Sequence, residues 1–145
     1  MLLHTHLARD ARAVEAPIED VFALVADVDH WTDWTSGVRR SRLLKGPLRL
    51  GAGLMFVPNF LPLPVAAKVI AFEHNRLISW GVRTPIATLV HSFEFEALDA
   101  RRTLVRHSEF AENLLALAML PLRDKIREFD EGLSRDLQAR FAEQS

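Results

Sequence analysis

Residues 12–34, RAVEAPIEDVFALVADVDHWTDW, place the tightest constraint on how this chain folds. A β-type run from about Leu3 to Glu15 stops at Pro17, which cannot donate to a sheet ladder but suits the first turn of a helix. The helix expected there presents Val21, Phe22, Val25 and Val28 on one face and leaves Glu19, Asp20 and Asp27 to water. A second short helix or turn over His30–Trp34 carries two tryptophans and closes at Ser36-Gly37. The opening is therefore one strand followed at once by two short helical pieces.

From Val38 to Phe110 the pattern changes to β-formers punctuated by Gly46-Pro47, Pro58-Asn59, His74-Asn75, Thr84-Pro85 and Asp99-Ala100. That spacing predicts about six further antiparallel strands. The clearest hairpin joins Thr88–Leu98 to Thr103–Phe110. In its first arm Leu89, His91, Phe93 and Phe95 share one face while Ser92, Glu94 and Glu96 share the other. Pairing Leu98 with Arg102 sets His91 opposite Glu109, Phe93 opposite His107 and Phe95 opposite Val105, and on the outer face it offers Glu94 to Arg106 as a cross-strand ion pair. A slip of one residue breaks that facing pattern, although Leu104 and Phe110 then remain on the outer face in the favoured register.

The last segment reads as a helix, with Leu122, Ile126, Phe129, Leu133, Leu137 and Phe141 recurring every three or four residues and Arg123, Asp124, Arg127, Glu128, Glu131 and Arg135 outside. Upstream, residues 113–121 (NLLALAMLP) have no polar face, and Pro121 lacks the N–H that a helix interior uses, so a kink is expected there. The segment Phe56–Pro64 holds prolines 58, 62 and 64, which disfavour regular pairing, and reads as an apolar loop suited to closing a cavity.

A chain of 145 residues is about one domain's length, and residues 1–145 are read as a single domain. Its net charge of −1 and its scattered bases lack the basic surface that phosphate recognition needs, so no nucleic-acid partner is expected. There is no cysteine, which rules out disulfides, thiol catalysis and thiolate metal ligands. MLLHTHLARD has neither a basic start nor a long apolar run, so no secretory leader and a cytoplasmic location are expected. The nine-residue apolar stretch Leu114–Leu122 is shorter than the about 20 residues a bilayer span requires.

Ala16-Pro17 after the first strand, Val21-Phe22, Asp27, Trp31 and Trp34, then Gly51 in LRLGAG, the run HSFEFEAL from His91, Thr103–Phe110 and the terminal amphipathic helix occur in a recognisable order. This order resembles the START, polyketide cyclase and pollen-allergen superfamily, also termed SRPBCC. The resemblance covers nearly the whole chain. It departs before the last helix, where many relatives carry Phe-x-Gly and this chain reads Phe110-Ala111-Glu112-Asn113. It implies an α+β helix-grip fold, with a curved antiparallel sheet of about seven strands wrapped around a long C-terminal helix and a hydrophobic cavity between them. Members bind lipids, sterols, hormones, quinones, aromatic polyketides or partner proteins, and some catalyse cyclisation or dehydration. They share no catalytic motif, so the resemblance assigns no catalytic residue.

The residues that carry chemistry are His91, His107 and Glu109, which the hairpin register brings to one apolar face. In a greasy pocket such a group can take a proton next to a ketone and return it to an oxygen, as aldol cyclisation and dehydration require. The plainer reading is that these groups satisfy one another or orient a ligand. Two imidazoles and a carboxylate are also a zinc set, but with no compact ligand motif no metal and no cofactor is expected. His4 and His6 share a strand face and would need a third ligand from elsewhere. His30 is read as a surface or capping contact and His74 as a turn residue. Trp31 and Trp34 are read as seals beneath the sheet.

Candidate ligand contacts are Phe56, Phe60, Val69, Trp80, Arg83, His91, Phe93, His107, Glu109 and Met119, with Arg83 a rim anchor for a carboxylate. The leading reading is a cavity for a small hydrophobic ligand. A cyclase or dehydratase using His91, His107 and Glu109 is the second. The third is an interaction module with a filled cavity, whose apolar loop and helix contact a membrane, a partner or a second copy of the chain.

Overall fold

The structure, a computed structural model, describes residues 4–142. Strand β1 (His4–Val14) leads through Pro17 into helix α1 (Ile18–Ala26) and a 3-10 turn (Val28–Asp33). Six strands follow: β2 (Val38–Leu43), β3 (Gly53–Pro58), β4 (Val65–Glu73), β5 (Leu77–Arg83), β6 (Ala87–Asp99) and β7 (Arg102–Asn113). Helix α2 (Leu114–Met119), a 3-10 turn (Leu120–Leu122) and helix α3 (Arg123–Ala142) complete the chain. The one seven-stranded antiparallel sheet runs in the order β1-β7-β6-β5-β4-β3-β2, so the first strand returns beside the last. This is the helix-grip arrangement.

Four of the six ladders carry a bulge, at His6/Ala8, Val38/Arg40, Val69/Ala71 and Ala97/Asp99. Each extra residue bends its strand and adds twist, which curls the sheet into a grip. Into the concave face fit Ile126, Phe129, Leu133, Leu137 and Phe141 of α3, all buried. Val21, Phe22 and Val25 of α1 and Trp31 of the 3-10 turn close the same core from another side. Trp31 is fixed there by donating its Nε1–H to the Val25 carbonyl at 2.8 Å.

The hairpin register matches the sequence expectation over its length: His91 pairs with Glu109, Phe93 with His107, and Phe95 with Val105. Two details differ. At the tip Asp99, not Leu98, pairs with Arg102, because the bulge after Ala97 takes up Leu98. Arg106 lies opposite Glu94, but its ion pair, at 3.1 Å, is with Glu96 two residues on, the diagonal neighbour a twisted ladder favours. Phe110, outward in this register, is covered by stacking on His4 of β1 with ring centroids 4.8 Å apart.

The expected irregularity at Phe56–Pro64 is confined to residues 59–64. Phe56, Val57 and Pro58 belong to β3, and Pro58 sits at its last position, where a missing N–H is tolerated. The kink expected at Pro121 is the 3-10 turn that separates α2 from α3. It takes Leu122 out of the α3 stripe and leaves that side chain half-buried. Among the described residues no helix is long and apolar enough to cross a membrane.

Candidate functional site

The space between sheet and α3 is divided in two. Its inner end is plugged by aromatic rings: Trp80 lies 5.2 Å from Trp31 and 5.6 Å from Phe93, centroid to centroid, and Phe56 stacks on Phe129 at 6.1 Å. A void of about 10 Å³ is all that remains there, bordered also by Trp34, about the space of one water molecule. The indole N–H groups of Trp34 and Trp80 are buried without an acceptor. Trp31 and Trp34 thus fill volume, as the sequence suggested.

The outer end is open and holds a cavity of about 140 Å³. Its walls come from β3 (Phe56, Pro58), the 59–64 loop (Phe60, Leu61), Val65, β6 (Leu89, His91), Glu109 of β7, Met119 of α2, Leu122, and α3 (Ile126, Phe129). Phe60 is held by an edge contact with Phe129 at 5.6 Å. Among the described residues, only His91 and Glu109 bring ionisable groups to this wall.

Of the side chains singled out from sequence, Phe56, Phe60, His91, Glu109 and Met119 therefore meet at the open cavity. Trp80 and Phe93 border the inner void instead. His107 lies behind His91, buried to 1% exposure. Val69 is a core residue bordering neither space. Arg83 is exposed at the end of β5 and borders neither.

Behind the cavity wall lies a buried polar cluster. The Nε2 atoms of His91 and His107 face each other within hydrogen-bond distance, one donating to the other. The Nδ1 of His91 lies 3.4 Å from Glu109 Oε1, and that of His107 lies 3.0 Å from Ser134 Oγ. Trp80 stacks on His91 at 4.6 Å and Phe93 on His107 at 4.0 Å, which locks both rings. The fifth member is Asp130 of α3, 1% exposed, with Oδ1 3.7 Å from His91 Nε2 and 3.6 Å from His107 Nε2. Neither Asp130 oxygen meets an N–H or hydroxyl donor. What it does face is the Glu109 carboxyl, which becomes a hydrogen-bond partner only when one of the two acids keeps a proton.

Burial drives the electrostatics. It pushes His107 down to about 3, against an opposing pull from Asp10, and it pushes His91 well below the imidazole range with further help from His107. Both rings are neutral near pH 7. Burial raises Glu109, opposed by its contact with Asp130, and holds Asp130 well above the carboxylate range, reinforced by the charge of Glu109. Two acids in one dry site do not both ionise, so the pair retains a proton.

Asp130 and Ser134 escaped the sequence reading. The signal was present: Asp130 lies four residues after Ile126 and three before Leu133, in the middle of the apolar stripe. At the strand edge His4 Nδ1 lies 3.3 Å from Glu112 and His4 Nε2 lies 3.3 Å from His6, while Arg9 contacts His6 Nε2. His30 pairs with Asp27 at 2.9 Å on the surface, and His74 lies in the β4–β5 turn.

The fold is shared with solved structures of low sequence identity. A START superfamily protein from Mycobacterium smegmatis is 16% identical, covering 97% of this chain and 100% of that one, at a TM-score of 0.75. The ginseng major latex-like protein 151 from Panax ginseng is 13% identical, covering 97% of each chain, at 0.74. Norcoclaurine synthase from Thalictrum flavum, in complex with dopamine and hydroxybenzaldehyde, is 12% identical, covering 99% of this chain and 90% of that one, at 0.71. No curated protein matches the chain by sequence. The family model described as polyketide cyclase / dehydrase and lipid transport matches residues 5–142, and the chain belongs to that family.

Proposed function

We propose that this chain binds a small, mostly apolar molecule, placing about one ring in the cavity beneath the 59–64 loop and α2. The observation that carries this is the 140 Å³ of open space with apolar walls and one polar corner, His91 and Glu109. An apolar cavity of about 150 Å³ takes a molecule the size of benzene. The aromatic plug sets the upper limit, since Trp31, Trp80 and Phe93 occupy the depth that a sterol or a long acyl chain would need. The rest of a larger ligand extends through the mouth, and a carbonyl or hydroxyl on the buried part meets His91 or Glu109. In support, the related norcoclaurine synthase has been seen with two single-ring compounds, dopamine and hydroxybenzaldehyde. The interaction-module reading is the weaker one, because only the inner end is filled.

The test is an NMR titration of labelled protein with benzyl alcohol, naphthol and palmitate, together with native mass spectrometry of the protein as purified. The expected result is saturable shifts at Leu89, Met119 and Ile126 with the single-ring compound and none with palmitate. The proposal is overturned if no probe moves these signals and no small molecule accompanies the protein.

A second reading, proton transfer on the bound molecule, is favoured by the position of Glu109 on the cavity wall, where burial raises its carboxyl and it shares a proton with Asp130. Glu109 gives that proton to the oxygen of the ligand's carbonyl, and the neutral His91 beside it accepts one from the adjacent carbon. Under this reading Glu109→Gln abolishes turnover of a bound β-polyketone while leaving its affinity within about threefold.

A further inference from the structure

We propose that His91, His107 and Asp130 form a binding site for a divalent metal ion of the zinc, cobalt or iron(II) class. Three donor atoms converge from three rigid elements, β6, β7 and α3. The Nε2 atoms of both histidines lie 3.6–3.7 Å from one Asp130 oxygen, and the three donors are all within 4.8 Å of one another. Tetrahedral coordination at bond lengths of about 2.1 Å sets its ligands about 3.4 Å apart, so Asp130 already stands at ligand spacing from both histidines, while the two Nε2 atoms, in hydrogen-bond contact, must part to admit the ion.

The surroundings are those of a held ligand set. A metal-binding histidine commonly has its second ring nitrogen fixed by a carboxylate, carbonyl or hydroxyl. Here both do, His91 through Glu109 at 3.4 Å and His107 through Ser134 at 3.0 Å, which turns each Nε2 toward the other, and the ion replaces the proton between them. Asp130 supplies the independent sign of a missing partner: its two oxygens are buried and meet no N–H or hydroxyl donor, and only a proton shared with Glu109 stands in for one. Buried polar atoms are rarely left in that state, and a cation satisfies both oxygen and charge. Imidazole with carboxylate suits zinc and neighbouring divalent ions. Because His91 and Glu109 also line the cavity, the ion has a route inward.

The outer histidines do not make an equivalent site. His4 turns one nitrogen to Glu112 and the other to His6, so those donors diverge, and the Arg9 guanidinium occupies the His6 side. The metal proposal is independent of what the cavity binds, and it departs from the sequence expectation of no metal, which lacked Asp130.

The experiment uses the whole chain, stripped with chelator and titrated with Co(II), with a His4→Ala/His6→Ala variant to remove the outer pair. The expected result is one equivalent bound with a visible d–d absorption band in both proteins, displaced by Zn(II), and a rise in Tm on loading. Asp130→Asn and His107→Gln abolish the band, and Glu109→Gln weakens binding by about 10- to 100-fold. X-ray absorption of the zinc-loaded His4→Ala/His6→Ala protein shows two imidazole ligands with oxygen donors, a readout that holds even if Asp130→Asn fails to fold. The proposal is overturned if the wild-type chain takes up no Co(II), if uptake vanishes with His4 and His6, or if it persists in folded Asp130→Asn.

Discussion

At Gly81 the β5 backbone runs so close to β6 that an added Cβ would lie 1.9 Å from the Leu89 carbonyl oxygen. No rotamer relieves a clash with backbone, so Gly81→Ala should lose about 3 kcal/mol or more, read from the urea midpoint. Asn113 presents the opposite case. Where β7 passes into α2 it adopts φ 59° and ψ −129°, a conformation that suits glycine. Asn113→Gly should therefore stabilise by about 1 kcal/mol once glycine's greater freedom in the unfolded chain is subtracted. His30 illustrates a charge effect that pH exposes. Its hydrogen bond to Asp27, then the Asp27 charge, raises it above the ordinary imidazole value of 6.5. A raised folded value means the folded state holds the proton more tightly than the unfolded one. The contribution is thus full below 6.5 and is lost as pH rises through the folded value. In Asp27→Asn an NMR titration should return His30 toward 6.5 and remove that part of the pH dependence. Of these three only His30 was read from the sequence, as a surface or capping contact, since a glycine and an asparagine acquire their meaning from backbone angles that the fold supplies.

Among the elements, the hairpin was the most legible because alternation has period two, so a single correct pair fixes every other pair until a bulge intervenes. The bulge after Ala97 has no comparable signature, which is why the pairing at the tip came out differently. Helix α3 was legible in its stripe but not in its chemistry. An aspartate within a helix is normally solvated, and only the packing of α3 onto β7 shows that Asp130 points inward with Ile126 and Leu133. The segment Phe56–Pro64 was read as a cavity cover from its prolines and apolar side chains, and its Phe60 and Leu61, with Met119 of α2, stand at the cavity. The stripe itself makes a quantitative claim. Leu137 is 1% exposed in the middle of α3, and Leu137→Ala should cost about 3 kcal/mol, measured by thermal or urea unfolding, through lost burial and the cavity left behind.

Over the whole molecule, one curved sheet has to be filled from its concave side, and the chain does so unevenly. The residues between β1 and β2 supply Trp31 and Trp34 to the inner end, while the outer end is roofed by a proline-rich loop and a short helix that leave 140 Å³ open. Which inward-facing position meets core and which meets cavity depends on that division, and so Val69 and Phe56 looked alike in the sequence although only Phe56 borders the opening. An open apolar space forfeits contacts that a closed core would make, so under the proposed function the cavity is stability given up for binding. Leu89 tests this directly because it lies on a central strand at the cavity wall and its side chain is only half-buried. Leu89→Phe adds about three carbons at the cavity wall. It should raise stability by about 1 kcal/mol, seen as a higher Tm, and should abolish the benzyl alcohol shifts at Met119 and Ile126. A lower Tm would mean that the space closes in solution, and retained binding would move the ligand elsewhere. With gain of stability and loss of binding together, the opening beneath loop 59–64 and α2 is the functional element that the aromatic plug leaves free.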